Sequence, residues 1–317
     1  GLVGSEMCIR DRYMDSLDLK KLPLILEPHE CSNDEYHNGF LKDFYGSSTI
    51  SSFAYLTPIE AKLKNEEDFA DTLATRLGSA FHFIMEGEKV YKENVIYTNL
   101  DNRYNEYKEL AKSLKDGQIL VPEKYAGDIR GMKVSMYNHS LSHYVNSMEA
   151  KKEWSYAYED EYGLKVKIRP DLIRKGIKDK NKDIIVDFKS TKSVNPKSFS
   201  KSVKDYNYHI QAAHYIETYQ KITGKEVEEF VFACVEKTFP YLCNFFTLGY
   251  KTLKEGNIAL HHAKKKLRYC LDTDDYGGYE ETYNEDKEPI PTTIDIGNYN
   301  FEYINPYEED MIWVRNK

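Results

Sequence analysis

The stretch that decides the fold runs from residue 166 to residue 189 and reads VKIRPDLIRKGIKDKNKDIIVDFK. Asp171 stands at the end of one alternating run, and the turn-like KGIKDKNK separates it from IIV at 184–186, which is typical of a buried strand. Strand side chains alternate between faces, so Asp187 and Lys189 emerge on the same face. The pattern predicts a hairpin that brings two carboxylates and one ammonium together.

Two carboxylates beside a lysine are the groups that metal-assisted hydrolysis of a phosphodiester requires. Carboxylates bind Mg²⁺, which lowers the pKa of a bound water and neutralises charge that develops on the phosphate. Lys189 can orient or deprotonate that water, or hold the phosphate. A D-x-K strand is also common at protein surfaces, where its charges form salt bridges. The dipeptide Pro170-Asp171 ahead of the hairpin favours the catalytic interpretation.

A helix is predicted shortly after this strand, and it carries Gln211 and Tyr215 in the segment HIQAAHY. Residues four apart share one face of a helix, so both side chains point the same way. An amide and a phenol can donate hydrogen bonds to phosphate oxygens or orient a catalytic group. A core helix with a buried tyrosine would show the same spacing.

A second helix candidate, GSAFHFIMEGEK from residue 78, carries His82 among apolar residues. A lone histidine in such a setting is usually a packed core residue. Glu86 lies four residues on and therefore shares its face. Glu86 could orient the imidazole of a metal-ligating His82, or it could be an acid on the helix surface.

These segments together resemble the PD-(D/E)xK nuclease superfamily, in the branch that carries a Q-x-x-x-Y helix. The motifs are RPD, VDFKST and QAAHY. Within that branch, residues 78–97, 202–219 and 230–248 are similar to the exonuclease VIII, or RecE-type, family of phage and prophage recombination exonucleases. The resemblance extends from about residue 47 to residue 266. It implies an α/β fold with a restriction-endonuclease-like core, in which helices flank a mixed central sheet, and with an N-terminal helical region.

The resemblance also implies the composition of the site. The helical histidine of such nucleases contributes to the metal centre, and His82 matches its position. We therefore expect His82, Asp171, Asp187 and the backbone carbonyl of Phe188 to bind Mg²⁺, with Mn²⁺ also suited to this mixture of oxygen and imidazole donors. The expected catalytic residues are Asp171, Asp187, Lys189, Gln211 and Tyr215. Glu236 either faces the site from a neighbouring strand or pairs with a surface cation, and it is left outside this set.

The activity implied is 5′→3′ degradation of double-stranded DNA, which leaves 3′ single-stranded tails for recombination. The implied partners are a single-strand annealing protein and further copies of the chain in a ring, as a tetramer or a trimer. Two alternatives remain open: an endonuclease of the same fold, and a protein of this fold that binds DNA or a partner without cleaving. The second would have no reason to retain the set formed by Asp171, Asp187 and Lys189.

The composition fits a soluble globular protein, with 41% hydrophobic and 30% charged residues, and no apolar run approaches the roughly 20 residues that span a membrane. The net charge of −8 is unusual for a protein that binds nucleic acid. However, Lys189, Lys192, Lys197, Lys201 and Lys204 form a run with no acid among them. We expect this run to contact DNA, although an ordinary solvated loop would show the same pattern of lysines.

The chain is divided as follows. GLVGSEMCIRDR at residues 1–12 resembles translated sequencing-adaptor read-through and is set aside, so the true start is Met14 or lies upstream. Residues 13–270 are predicted to form a single nuclease domain, with a helical part at about 47–150 and the catalytic core at about 151–250. Residues 271–317 form an acidic tail, either an interaction segment or poorly ordered.

Helices are predicted at 58–64, 76–86, 101–117, 132–148, 206–223 and 256–269, and strands at 154–161, 164–169, 184–189, 228–237 and 242–248.

None of the five cysteines forms a C-x-x-C pair, so zinc and thioredoxin-like sites have no support. The chain also lacks the four-cysteine iron–sulfur arrangement of some nucleases of this superfamily. Reduced thiols point to a cytoplasmic location, in a bacterium or a phage-infected cell. A G-x-x-x-x-G-K-[ST] motif is absent as well, which argues against a nucleotide-driven motor.

Overall fold

The computed structural model describes residues 26–31, 33–67 and 71–279, and the backbone of two short strands at 282–283 and 289–290. The predicted adaptor-derived segment and the acidic tail beyond residue 279, apart from those two strands, lie outside the described residues. Within them, no helix is both long enough and apolar enough to cross a membrane.

A five-stranded mixed sheet forms the centre of the molecule, in the order β10-β9-β8-β7-β4. Its strands are β4 (Lys151–Lys152), β7 (Leu172–Lys175), β8 (Asp183–Thr191), β9 (Val227–Glu236) and β10 (Cys243–Thr247). The β8–β9 pair is parallel, whereas the other pairs are antiparallel. A second, antiparallel sheet contains β1 (His29–Glu30), β5 (Trp154–Glu159) and β6 (Lys165–Ile168). Two further pairs are β2 (Val95–Thr98) with β3 (Ile119–Pro122), and β11 (Thr282–Tyr283) with β12 (Pro289–Ile290).

The helices flank these sheets, as expected for the predicted α/β fold. In chain order they are α1 (Asn33–His37), α2 (Ser47–Tyr55), α3 (Pro58–Glu66), α4 (Leu73–Glu86), α5 (Glu88–Asn94), α6 (Asn105–Lys112), α7 (Ala126–Asn138), α8 (Pro196–Asp205), α9 (Tyr208–Thr223) and α10 (Tyr250–Thr273). The mixed central sheet with helices on both sides confirms the fold class expected from the sequence.

Side chains along β8 alternate between two hydrophobic clusters, and each cluster packs against a different layer of helices. Ile184, Val186 and Phe188 are buried in a cluster with residues of α4 and α7. Ile185 belongs to a cluster on the other face, together with Phe199 of α8 and Ala212 of α9. Asp187 and Lys189 share the parity of Ile185, so they emerge on the side of α8 and α9.

The register of the β7–β8 hairpin places the two predicted carboxylates side by side. Leu172 is paired with Val186, so Asp171 and Asp187 are the next positions beyond that pair. The chain reaches Asp171 from β6, which belongs to the other sheet, through the short connection Arg169-Pro170. Asp171 therefore lies where the two sheets meet.

Several predicted boundaries are wrong. The charged helix at 101–117 is reduced to α6, because the Asp101 carboxylate accepts the Arg103 backbone N–H at 3.0 Å in a turn that precedes it. The helix predicted at 132–148 corresponds to α7, which begins six residues earlier and ends ten residues earlier, and a 3₁₀ turn follows at 142–144. α10 begins at residue 250, six residues before the predicted start, and ends four residues beyond the predicted end.

The lysine run between β8 and α9 contains a helix that was not predicted. Asn195 caps α8 by accepting the Lys197 backbone N–H at 3.0 Å, and Pro196 occupies the first turn. Phe199 and Val203 are buried, so α8 packs on the sheet while its lysines point away. The Asn-Pro start was a readable signal in the sequence.

Candidate active site

Asp171 joins the two helix layers at the centre of the candidate site. One of its oxygens lies 3.1 Å from Nδ1 of His82 on α4, and the other accepts the Phe188 backbone N–H at 2.5 Å. Burial acts to raise the pKa of Asp171, but the neighbouring His82 and Lys189 charges and the Phe188 N–H hold that pKa below its ordinary value. The carboxylate is therefore kept ionised and fixed in orientation.

His82 is brought to the sheet by the amphipathic helix α4. A capping box between Thr72 and Thr75 starts this helix, and Phe81 and Ile84 bury its apolar face. Burial acts to lower the pKa of His82, but the Asp171 carboxylate prevails and raises that pKa to about 9. The imidazole is thus oriented by Asp171.

Glu153 is the third member of the same cluster and was not among the predicted residues. A ligand atom from each of His82, Glu153 and Asp171 lies within 4.8 Å of the others. Burial, followed by the charge of Asp171, raises the pKa of Glu153 to about 8, although Arg169 forms an ion pair with it at 2.9 Å. Glu153 also has a φ of 53°, a left-handed conformation that costs energy in a non-glycine residue and is often found at functional sites.

Asp187 and Lys189 form a second cluster next to Asp171. One Asp187 oxygen accepts a hydrogen bond from the Gln211 amide at 2.7 Å, and the other lies 2.5 Å from the Lys189 ammonium. Burial, followed by the charge of Asp171, raises the pKa of Asp187 against the opposing effect of Lys189. The D-x-K strand and the first position of the Q-x-x-x-Y helix therefore meet.

Tyr215 lies one helical turn beyond Gln211 and interacts with its side chain. Its ring packs edge-on against Phe230 with the centroids 6.0 Å apart. It also lines the cleft next to the site, so it has a core face and an exposed edge. Burial raises the pKa of Tyr215 well above its ordinary value, which keeps the phenol protonated as a hydrogen-bond donor.

A cleft of about 1020 Å³ opens beside the first cluster, large enough for several nucleotide-sized groups. His82, Glu153, Asp171 and Tyr215 line one part of it. Cations, hydroxyl groups, acids and apolar side chains line the remainder, among them Lys42, Arg169, Ser47, Glu86 and Phe83. The cleft thus combines groups suited to a metal ion with groups suited to an anion.

The structure gives positions for Glu86 and Glu236, for which the sequence left two interpretations each. The side chain of Glu86 lines the cleft, and among the described residues it forms no hydrogen bond with His82, whose imidazole contacts Asp171 instead. Glu236 accepts the Val194 backbone N–H at 2.9 Å. It therefore holds the loop after β8 through this bond.

The donor set fits a hard divalent ion. Two carboxylates and an imidazole converge in the first cluster, and Asp187 adds a third carboxylate next to it, although Gln211 and Lys189 already hold its oxygens. The structure gives Phe188 a backbone N–H contact to Asp171, and a role for its carbonyl remains a prediction. Glu153 could not have been found from spacing, because it lies between two short strands outside any motif.

Comparison with known proteins agrees with this geometry. Residues 42–284 match the family model described as "PDDEXK-like domain of unknown function (DUF3799)". The crystal structure of a candidate exonuclease from Eubacterium rectale is similar, with a TM-score of 0.53 and 17% identity over 77% of this chain and 86% of that chain. At that identity the likeness concerns the fold alone.

A second solved structure, that of SSO0001, aligns with a TM-score of only 0.28 and 14% identity over 70% of this chain and 84% of that chain, so no argument is based on it. No curated protein matches the chain. The family model spans well over half of the 317 residues and includes every candidate site residue. The chain therefore belongs to the DUF3799 family of PDDEXK-like domains, which have a nuclease-type fold.

Proposed function

We propose that this protein is a Mg²⁺-dependent exonuclease that degrades double-stranded DNA from 5′ to 3′ and leaves 3′ single-stranded tails for recombination. The observation that carries the proposal is the meeting of Asp171, His82 and Glu153 with the Asp187–Lys189 pair beside an anion-compatible cleft. Carboxylates that meet a lysine and a histidine beside a cleft are suited to metal-assisted cleavage of a phosphodiester.

In this proposal His82, Asp171 and Asp187 hold the metal ion together with the Phe188 carbonyl, and Glu153 joins them from β4–β5. When bound, the ion would supply an acidified water and neutralise charge on the phosphate. Mn²⁺ would suit the same donors.

The remaining residues act on the substrate or position the ligands. Lys189 lies within 2.5 Å of Asp187, so its ammonium can donate hydrogen bonds to a phosphate that the metal ion would hold beside this carboxylate. Gln211 fixes the other oxygen of Asp187. Tyr215 borders the cleft, where its phenol can donate to a phosphate oxygen.

The test compares linear and covalently closed circular DNA of the same sequence, with Mg²⁺ and with EDTA. We expect Mg²⁺-dependent loss of the linear form alone. One substrate carries its label at the 5′ end of a strand and another at the 3′ end, and mononucleotides should be released from the 5′ end. Nicking or linearisation of the circle would identify an endonuclease. Absence of cleavage in Mg²⁺ and in Mn²⁺ would refute the proposal.

We further propose that the active form is a ring around the DNA, a tetramer or a trimer, and that a single-strand annealing protein loads on the product strand. The motivation is the net charge of −8, since an acidic protein that degrades long DNA cannot depend on overall attraction. Light scattering should give three or four copies per particle, and degradation should proceed through kilobases before transfer to a competitor DNA. A strict monomer in the presence of DNA and metal would rule out the ring.

A further inference from the structure

One exposed surface beside the candidate site remains unexplained: the outer face of α8 and the α8–α9 corner. Lys197, Lys201 and Lys204 follow at spacings of four and three residues, so they share one face of the helix. All three are exposed, and none of them forms an ion pair with any residue that the structure describes. At 1.5 Å per residue they extend over roughly 10 Å, about three phosphates of one DNA strand.

Three aromatic rings lead from the sheet to the end of this helix. Phe232 is buried in β9, and its ring stacks with Tyr208 at a centroid distance of 5.5 Å. Tyr208 stacks in turn with Tyr206 at 5.6 Å, and the two rings are inclined by 29°. Tyr206 is 67% exposed, so the series ends in a ring that is open to solvent.

The corner is built in a way that fixes this ring. Asn207 adopts a φ of 58°, which asparagine tolerates better than most residues, and it turns the chain from α8 into α9. Tyr206 is therefore held at the corner by the helix on each side. A preorganised tyrosine loses little conformational freedom when another flat ring stacks on it.

The surface is connected directly to the candidate site. The Lys189 ammonium lies 4.7 Å from the centroid of the Tyr208 ring, so one residue separates the exposed ring from the D-x-K lysine. A strand whose phosphate reaches Lys189 has its neighbouring bases close to Tyr206. A base inside a duplex cannot stack there, because its two faces are covered by its neighbours, so we expect the strand to be unpaired at Tyr206.

We propose that Tyr206 and the lysine face of α8 form a binding surface for single-stranded DNA, with one unpaired base stacked on Tyr206 and the adjacent phosphates on Lys197, Lys201 and Lys204. Aromatic platforms next to a cationic groove bind single strands of any sequence. Asp205 lies four residues after Lys201 on the same face, next to Lys204, and reduces the positive charge at this end of the helix. The inference rests on the proposed nuclease function, which it extends to the state of the DNA at the site.

Fluorescence anisotropy on the full chain in EDTA tests the surface without cleavage. The probes are labelled oligo(dT) and a blunt duplex of equal length. Tyr206→Ala should weaken binding of the single strand about 5- to 100-fold, leave duplex binding unchanged, and be rescued by Tyr206→Trp. Tyr104→Ala is the control, because Tyr104 is similarly exposed, at 60%, immediately before α6.

The lysines are tested by the salt dependence of binding. Lys197→Glu with Lys201→Glu should reduce the slope of log affinity against log salt by about 0.7 for each lysine on the single strand. Lys180→Glu with Lys221→Glu changes the net charge equally, and both of these lysines are exposed at the opposite end of β8, so this pair should leave the slope unchanged.

The outcomes separate the two proposals. Cleavage of DNA by the wild type, combined with equal affinities for Tyr206→Ala and Tyr104→Ala, overturns the surface and leaves the nuclease proposal intact. Selective loss of single-strand binding in a protein that never cleaves would support the surface and refute the nuclease. An equal loss on single strand and duplex would also overturn base stacking.

Discussion

Replacing Lys264 by methionine should destabilise the protein by about 3–5 kcal/mol, because the change leaves two buried carboxylates without their cation. The Lys264 side chain on α10 is 0% exposed, and its ammonium lies 3.0 Å from Asp160 and 2.6 Å from Glu217. Asp160 belongs to the β5–β6 turn and Glu217 to α9, so this one ammonium connects three elements. Methionine fills a similar volume, and the loss is therefore chiefly electrostatic.

The pKa of Glu217 gives a second indication of the electrostatic free energy in this network. Burial acts to raise that pKa, but the hydrogen bond with His261 and the charge of Lys264 lower it to about 2, from an ordinary value of 4.5. A tenfold change in proton affinity is worth about 1.4 kcal/mol, so this difference corresponds to about 3 kcal/mol. His261 still contacts Glu217 at 2.9 Å in Lys264→Met, so only the Lys264 share of this free energy is lost there, in addition to the loss at Asp160. The total stability of a protein is typically about 5–15 kcal/mol.

Urea unfolding followed by circular dichroism measures the effect. The control is Lys254→Met, an exposed lysine on the same helix without a described ion pair, which should change stability by less than about 0.5 kcal/mol. Adding Asp160→Asn and Glu217→Gln to Lys264→Met should recover much of the loss, since no buried charge is then left unpaired. A loss below about 1 kcal/mol for Lys264→Met, with an unchanged m-value, would refute the reasoning.

Four further outcomes are expected. Asp187→Asn should abolish cleavage without changing the circular dichroism spectrum, and full activity would remove Asp187 from the site. Lys189→Ala should reduce the cleavage rate about 10²- to 10⁴-fold while Mn²⁺ binding by calorimetry persists, and a reduction below tenfold would make the lysine a bystander. Glu153→Gln should raise the Mn²⁺ dissociation constant about 10- to 100-fold, the range known for altered metal surroundings, whereas unchanged binding would exclude it as a ligand. The folded-state pKa of Glu217 is depressed, so its contribution to stability is present above pH 4.5 and is lost as the pH falls toward 2; urea midpoints measured across this range should fall less steeply in Glu217→Gln than in the wild type.

Local sequence patterns were sufficient for much of the fold. The apolar run IIV was sufficient to predict the strand, and the two-residue period of a strand was sufficient to place Asp187 and Lys189 on one face. Gly224, with a φ of 68°, ends α9 where the sequence predicted, because glycine adopts this conformation without steric cost. The predicted helix boundaries were wrong where a charged segment was interpreted as helical along its whole length, as at 101–117. A local Asp–Arg turn competes there with helical hydrogen bonds.

The sequence by itself determined which side chains are chemically suited to a metal ion or a phosphate on their own elements: Asp171, the D-x-K pair and the Q-x-x-x-Y helix. Their spacing is local, and a strand or helix fixes the direction of each side chain. Only the tertiary structure decided which of them meet across elements. Glu153 lies far from any motif and reaches Asp171 because β4 pairs with β7, and Tyr206 reaches the site only through the stack on Tyr208. Contacts of this kind depend on how layers pack, which no period of two or 3.6 residues encodes.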